Sequence, residues 1–203
     1  MTAAERAAKE PVGVVHGRFQ PLHLGHLEYL LAARRTCRVL VVGITNPDPW
    51  QTAFEPTDPG RGSPAANPCT YYERHLMVEG ALRDHGVKRG AFRIIPFPHG
   101  HPERLRHYLP PDALLLLTVY DAWGETKLER FRRLGLRVRV LWRRQEKVTS
   151  GSRIRTAIQE GRPWEHLVPA ATARVIRRFG IDDRIQRLAA GEAAAPGHEE
   201  VSR

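Results

Sequence analysis

Residues 12–26 read V-G-V-V-H-G-R-F-Q-P-L-H-L-G-H, and this stretch decides the fold of the chain. The apolar run within Pro11–His16 predicts a buried β-strand that ends at Gly17. Leucines at helical spacing follow, so the stretch also predicts the start of a helix over Leu24–Arg35. A strand, a glycine-containing turn and a helix in this order form the first unit of a parallel sheet.

Strands and helices continue to alternate beyond this stretch. Short apolar runs predict further strands at Arg38–Ile44, Phe92–Phe97, Ala113–Val119 and Leu136–Trp142. Helical patterns cover Thr70–His85, Pro102–Tyr108, Trp123–Leu134, Ser152–Glu160, Glu165–Phe179 and Asp182–Ala190. The alternation predicts an α/β fold, with a parallel sheet that has helices on both faces and a C-terminal helical segment.

Composition limits the class of protein. The chain has 203 residues, 41% hydrophobic and 27% charged, which is typical of one soluble globular domain. We expect this domain at residues 11–190, between a flexible N-terminal tail (1–10) and a disordered C-terminal tail (191–203). No apolar run is long enough for a membrane helix, and two cysteines are too few for a disulfide framework, so we expect a cytoplasmic protein. The net charge of +10, carried mostly by arginine, predicts anionic partners.

The segment His16–His26 is the first candidate site, because it links a strand to a helix. Gly17 and Gly25 allow the backbone to approach a ligand closely, and the free amides of the helix start favour phosphate. His23 and His26 are three residues apart, so both can face one ligand from the first helical turn. A metal pair is an alternative, but the sequence offers no evident third ligand. A pair of donors to a polyphosphate fits better.

The second candidate site is T-S-G-S-R-I-R, residues 149–155. Ser150 or Ser152 can cap the helix that follows, and Arg155 can close over a triphosphate. A capped helix with a basic exposed face is the alternative interpretation. In a parallel sheet, ligands bind beyond the carboxyl ends of the strands where the strand order reverses, and both candidate segments would meet there.

The pairing of H-L-G-H with S-G-S-R-I-R resembles the nucleotidyltransferase superfamily, which has H-x-G-H and S-x-x-x-x-R signatures. The G-R-F-Q-P lead-in, N-P-C-T-Y-Y-E-R, I-I-P-F-P and W-E-H-L-V-P resemble its archaeal-type nicotinamide-nucleotide adenylyltransferase branch. This resemblance runs from about Val12 to Leu188. It implies a Rossmann-like fold and Mg²⁺-assisted attack on the α-phosphorus of a nucleoside triphosphate, with no covalent enzyme intermediate.

The resemblance also implies roles for individual residues. His23 and His26 would contact the triphosphate and stabilise charge in the transition state, while Arg18 and Arg155 would hold the β- and γ-phosphates. The other nucleotide contacts would be Gly17, Phe19, Gln20, Gly25, Ser150 and Ser152. Positioned donors suffice for this reaction, and the phosphates would hold most of the Mg²⁺ shell, so no side-chain metal ligand is expected.

Two segments depart from the adenylyltransferase pattern. Thr45–Pro68 is an expanded loop in which Ala66, not a basic residue, precedes Asn67, and we expect it to be a mobile lid. Thr118–Glu125 lacks the Gly-Asn turn of those enzymes. Both segments resemble bacterial cytidylyltransferases of phosphonate antibiotic pathways, which attach CMP to a small phosphonate such as phosphonoformate.

These departures indicate where the base and the acceptor would bind. Candidate residues are Thr45, Asn46, Arg61, His99, His101, Arg104 and Asp121. Either Asp121 or a backbone carbonyl with an amide could read cytosine. A helix cap near Trp123 is the structural alternative for Asp121.

Three functions remain open at the level of the sequence. The favoured one is transfer of CMP from CTP to a small phosphonate in natural-product biosynthesis. The first alternative is synthesis of NAD from ATP and NMN, and the second is a non-catalytic nucleotide or RNA binder. No aromatic-interleaved basic stripe or RNA-binding signature occurs, which argues against nucleic acid. The oligomeric state is open, and a homo-oligomer is compatible with the sequence.

Overall fold

The computed structural model describes residues 9–48 and 62–191. Parallel strands form one five-stranded sheet: β1 (Glu10–Gly17), β2 (Cys37–Thr45), β3 (Phe92–Phe97), β4 (Leu114–Val119) and β5 (Arg137–Arg143). The helices are α1 (Leu24–Thr36), α2 (Tyr71–Asp84), α3 (Ala122–Arg133), α4 (Gly151–Gln159), α5 (Ala170–Arg178) and α6 (Ile181–Ala189).

The strand order is β3-β2-β1-β4-β5, so the direction of winding reverses at β1. Val14 in this strand is paired with Val41 of β2 on one side and Leu115 of β4 on the other. Connections from β1 and β4 therefore leave in opposite directions, which opens a crevice beyond their carboxyl ends. The turn after β1, the end of β2 and the start of α3 all lie at this edge.

Side chains that alternate along the strands supply a hydrophobic core on each face of the sheet. Val15 points to the core that contains α1, α2 and the C-terminal helices. Val14 points to the opposite core, where Phe131 of α3 is fully buried. Both faces are apolar because both are covered, as the continuous apolar runs predicted.

A partly buried ion pair fixes the C-terminal helices to the sheet domain. Glu73 caps the start of α2, since its carboxylate accepts from the backbone N–H of Thr70 at 2.8 Å. The same carboxylate accepts two bonds from Arg184 of α6, at 2.8 and 2.9 Å. Arg184 also donates to the carbonyl of Pro68 at 2.8 Å. The C-terminal segment is thereby joined to the chain that enters α2.

The predicted α/β fold is confirmed, and most of its elements begin and end within one residue of the prediction. The single helix predicted at Glu165–Phe179 is wrong. Glu165–Leu167 is a 3-10 turn, and α5 begins only after Pro169. Proline forces the preceding Val168 into extended backbone, at φ −125° and ψ 156°, which interrupts the helix. The helix predicted at Pro102–Tyr108 is likewise a 3-10 helix, over Pro102–His107.

Some predictions fall on residues outside the described ranges. The predicted tails lie there apart from Lys9, Glu10 and Gly191, and Glu10 already belongs to β1. Residues 49–61 of the proposed lid lie outside the described ranges, and Arg61 is one of them. None of the described helices is both long enough and apolar enough to cross a membrane.

Candidate active site

His23 and His26 close the N-terminus of α1 by capping each other's backbone. Nδ1 of His23 accepts from the backbone N–H of His26 at 3.2 Å, and Nδ1 of His26 accepts from that of His23 at 3.4 Å. Their rings stack with centroids 3.6 Å apart. The ring of Phe19 meets His26 edge-on at 4.9 Å. Capping and stacking together fix both imidazoles at the start of the helix.

The capping geometry also decides which nitrogen can act on a ligand. A backbone N–H only donates, so each Nδ1 must accept, and a neutral ring then carries its proton on Nε2. Burial, with the nearby charge of Lys147, lowers the pKa of His23 to about 4. Burial, with His23 and Arg18, lowers the pKa of His26 well below its usual value. Both rings are therefore neutral Nε2–H donors near pH 7.

Two glycines keep this arrangement open. A Cβ at Gly25 would lie 3.3 Å from Cε1 and Nδ1 of His23, so a larger residue would press on the ring. A Cβ at Gly151 would lie 2.6 Å from the carbonyl oxygen of Gln20. Gly151 is the first residue of α4, and its missing side chain lets this helix start approach the turn after β1. The two candidate segments of the sequence therefore meet, as predicted.

Ser150, Ser152 and Arg155 lie at the start of α4. The Ser150 hydroxyl caps the helix by accepting from the backbone N–H of Arg153 at 3.2 Å. Arg155 donates to the carbonyl of Gln20 at 2.7 Å and to the Ser152 hydroxyl at 3.3 Å. Burial lowers the pKa of its guanidinium from the usual value. Arg155 thus lies between the two helix starts, with donors remaining for an anion.

Two residues expected to contact the nucleotide instead point into the protein. Phe19 is fully buried in the core, so its side chain does not line the site. Gln20 uses its side-chain amide to bind Cys69, accepting from the backbone N–H at 2.8 Å and donating to the carbonyl at 2.9 Å. Any contact of these residues with a nucleotide must come from the backbone; their side chains hold the turn in place.

Arg74 is a residue of the site that sequence reasoning missed. It is 2% exposed and donates to the carbonyls of Thr45, Asn46 and Arg18 at 2.7, 2.8 and 3.1 Å. These bonds join the end of β2 to the turn after β1. Burial lowers the pKa of Arg74 to about 10, which leaves it charged near pH 7. Arg74 ends the N-P-C-T-Y-Y-E-R motif, but the motif does not reveal its role, because its acceptors include backbone carbonyls far away in the chain.

A cleft of about 140 Å³ opens at the carboxyl ends of the strands. Thr45, Asn46 and His99, which were predicted as base or acceptor residues, line it with Gly17 and Arg18. His16, Trp123 and Lys127 complete the lining. His16 and Trp123 lie in segments that the sequence analysis singled out, but none of the three was named as a base or acceptor residue. Asn46 adopts a left-handed backbone conformation, φ 51°, where β2 gives way to the loop.

Other predicted acceptor or base residues lie elsewhere or are already engaged. His101 is exposed and faces Glu103 at 3.4 Å, and Arg104 is exposed on the same 3-10 helix. Asp121 is the N-cap of α3: it accepts from the backbone N–H of Gly124 at 2.9 Å, which lowers its pKa. Its second oxygen lies 3.5 Å from Nζ of Lys147. Both carboxylate oxygens of Asp121 thus have partners, as the helix-cap interpretation predicts.

The donor set of the site suits an anion. Imidazole N–H groups, hydroxyls, a guanidinium and helix N-termini all converge on one edge of the sheet, which is the environment that a polyphosphate needs. Within the described ranges, no three His, Cys, Asp or Glu side chains are grouped so that they could hold a metal ion.

Comparison with known proteins gives the class. Residues 14–157 match the family described as cytidylyltransferase-like, and the chain belongs to this family of nucleotidyltransferases. It is 65% identical over 174 residues to a phosphonoformate cytidylyltransferase of Streptomyces viridochromogenes, a match that covers 86% of this chain and 95% of the relative. It is 31% identical over 185 residues to a nicotinamide-nucleotide adenylyltransferase of Methanoculleus marisnigri, covering 89% and 98%.

A solved structure is similar in fold. It is a bifunctional NMN adenylyltransferase/ADP ribose pyrophosphatase from Francisella tularensis, with a TM-score of 0.65 at 14% identity. The match covers 90% of this chain, which spans about half (54%) of that protein. The predicted Rossmann-like fold and the predicted membership of the nucleotidyltransferases are thus confirmed, and the adenylyltransferases are the more distant relatives.

Proposed function

We propose that this protein transfers CMP from CTP to phosphonoformate and releases pyrophosphate. The observation that carries the proposal is the 65% identity to a phosphonoformate cytidylyltransferase across 95% of that relative. The triphosphate-binding residues at the starts of α1 and α4 are all present, so the reaction type is supported independently. The small cleft beside them suits a compact acceptor.

In this proposal the triphosphate lies across the two helix starts. The Nε2–H groups of His23 and His26 donate to the α-phosphate and its bridging oxygen. Arg155 and Arg18 bind the β- and γ-phosphates, and Ser152 adds a hydroxyl. Charge that develops on the phosphoryl oxygens in the transition state thereby meets donors that are already oriented, which is the largest single contribution that such sites make.

The chemical step is an in-line displacement. An oxygen of the phosphonate attacks the α-phosphorus of CTP, a new P–O–P bond forms, and the bond to the β-phosphate oxygen breaks. Pyrophosphate takes the electron pair, and CMP remains joined to the acceptor as a mixed anhydride. The acceptor is already ionised, so no side chain has to remove a proton from it, and catalysis rests on positioning and electrostatics.

We further propose Mg²⁺ as the divalent cation of the reaction. The donors of the site fit phosphates better than they fit a cation, so the triphosphate would hold the ion, as Mg²⁺ commonly requires. The ion would neutralise charge on the phosphates. Backbone amides at the start of α1 and the Arg155 guanidinium would orient the metal–nucleotide complex.

The experiment is pyrophosphate release with each of the four ribonucleoside triphosphates, each paired with phosphonoformate and with NMN. We expect the highest kcat/KM for CTP with phosphonoformate, and ³¹P NMR should show the new phosphonate–phosphate anhydride. The His26→Ala protein serves as the control for contaminating activity. A higher kcat/KM for ATP with NMN would overturn the proposal.

A further inference from the structure

One buried side chain in the cleft has no role in the triphosphate site. His16 is the penultimate residue of β1, at the point where the strand order reverses. It is 8% exposed, and neither ring nitrogen makes a hydrogen bond within the described part of the chain. Leaving a buried polar group without a partner is energetically unfavourable, so such a group at a ligand cleft indicates a partner that binds there.

Packing holds the His16 ring in one orientation. It stacks on Phe97 with centroids 4.5 Å apart and an interplanar angle of 4°, and the edge of Phe131 meets it at 5.5 Å. His99 covers the ring at 5.7 Å. Because the ring nitrogens have almost no exposed surface, a ligand that reaches them has to displace part of their cover, which includes the half-buried His99 side chain.

The surroundings of His16 are basic. Lys127 of α3 and Arg18 line the same cleft, and none of the described residues that line it is a carboxylate. Burial lowers the pKa of His16 well below its usual value, and the charge of Lys127 lowers it further. His16 is therefore a neutral N–H donor in a positive environment, which is a combination suited to an anionic ligand.

Resting on the function proposed above, we propose that His16 and Lys127 form the anion subsite for the acceptor. Lys127 supplies the charge that attracts a small dianion or trianion, and His16 donates a hydrogen bond to one of its oxygens. The subsite lies one residue before Gly17 and Arg18, so an acceptor held there is adjacent to the triphosphate site. His16 and Lys127 are then specificity residues for the acceptor and leave CTP binding to α1 and α4.

The enclosed part of the cleft is small. About 140 Å³ is less than half of the roughly 300 Å³ of a small pocket for drug-sized ligands. A phosphonate that carries a single carboxylate fits this space between the described residues. A whole nucleotide has its charge on one phosphate and needs room for a ribose and a base as well. Compact acceptors with high charge should therefore bind best.

The test is isothermal calorimetry of phosphonoformate binding, combined with steady-state kinetics. His16→Phe keeps the stacked ring and removes both nitrogens, and Lys127→Met removes the charge. Each variant should bind phosphonoformate at least tenfold more weakly and raise its KM by a similar factor, with the KM for CTP changed less than twofold. Lys127→Arg should recover most of the affinity. His107→Phe and Lys88→Met, at exposed positions outside the cleft, are the matched controls and should behave like wild type.

The outcomes separate the two proposals. If CTP and phosphonoformate react but both variants keep wild-type affinity for phosphonoformate, the subsite is refuted and the proposed function stands. If the variants weaken binding as expected but the wild type releases no pyrophosphate from CTP, the subsite stands and the proposed function fails. Absence of phosphonoformate binding to the wild type would overturn both.

Discussion

The two ring nitrogens of His26 have different roles. Nδ1 closes the N-terminus of α1, and Nε2 is left to donate to a phosphate. A serine or threonine in this position could cap the helix, but it would not reach the substrate with a second donor. The same division holds for His23, and this explains why a motif with two histidines three residues apart suits a helix start at a phosphate site.

Replacement of His26 by alanine should reduce turnover far more than CTP affinity. The loss of one donor at the developing charge costs about 10²–10³-fold in kcat. The lost cap should cost about 1 kcal/mol of folding free energy, which leaves the variant folded. Steady-state kinetics, CTP calorimetry and thermal unfolding measure these effects. His107→Ala is the control, and an unchanged kcat in folded His26→Ala would exclude His26 from catalysis.

Arg155 should contribute mainly to binding. Arg155→Ala removes a charge-assisted contact of roughly 1.5–3 kcal/mol, so CTP affinity should fall about 10- to 150-fold. Arg155→Lys should recover only part of this, because an ammonium cannot span the Gln20 carbonyl, Ser152 and a phosphate as a guanidinium does.

Arg153→Ala is the matched control for Arg155. Arg153 lies two residues earlier in the same helix and is exposed, and it contributes its backbone N–H to the cap. Calorimetry with CTP should give wild-type affinity for Arg153→Ala and weakened binding for Arg155→Ala. Equal affinities in both variants would show that Arg155 does not clamp the triphosphate.

At the scale of elements, the site depends on how closely α4 approaches the turn after β1. A Cβ at Gly151 would lie 2.6 Å from the carbonyl oxygen of Gln20, and Arg155 bonds across the same gap. Arg74 likewise joins that turn to the end of β2 through hydrogen bonds to the carbonyls of Arg18 and Thr45. Contacts between distant segments therefore set the geometry of the proposed triphosphate site. Arg155 and Gln20 are more than a hundred residues apart in the chain, and Arg74 is about thirty to sixty residues from its acceptors.

The substitution Gly151→Ala should separate these elements. Its Cβ would meet a backbone oxygen at 2.6 Å, and because a backbone oxygen cannot swing aside, α4 must shift. We expect a loss of about 1–3 kcal/mol in unfolding free energy and weaker CTP binding. Gly90→Ala is the control, since nothing lies within 4 Å of the added Cβ. Urea unfolding and CTP calorimetry measure both effects; wild-type CTP affinity in Gly151→Ala would contradict the proposed contact.

At the scale of the whole molecule, buried neutral histidines should make stability depend on pH. The pKa values of His16, His23 and His26 are all lowered by burial, so the unfolded chain binds more protons than the folded one below about pH 6.5. The protein is therefore most stable above about pH 6.5. Its free energy of unfolding decreases as the pH falls from 6.5 towards the His23 pKa of about 4.

Each such histidine contributes a slope of up to about 1.4 kcal/mol per pH unit. Urea unfolding at pH 7 and pH 5 should show this loss of stability in the wild type. The decrease in unfolding free energy from pH 7 to pH 5 should be smaller in His16→Phe, which removes one of the three histidines. In His107→Ala it should be the same as in the wild type. A free energy of unfolding that stays constant between pH 7 and pH 5 would refute the neutral state of these histidines.

Much of this protein is determined by local patterns in its sequence. Short continuous apolar runs predicted the strands, and apolar residues at helical spacing predicted the helices. Both patterns arise because the apolar side chains of each element must be buried. The strand–turn–helix context of residues 12–26 indicated a phosphate site, and the resemblance implied roles for His23, His26 and Arg155; these roles stay predictions. Pro169 was the exception in the fold: the spacing favoured one helix, but proline restricts the residue before it.

The tertiary structure alone decided which side chains surround the cleft at the carboxyl ends of the strands. His101 and Asp121 carry suitable chemistry, but one is exposed beside Glu103 and the other caps α3. The roles of Arg74, His16 and Lys127 could not be predicted from the sequence, since their partners are carbonyls, rings and charges on other elements. Parallel strands bring distant segments to one edge of the sheet, so the cleft is defined by strand order and crossover, which no local pattern encodes.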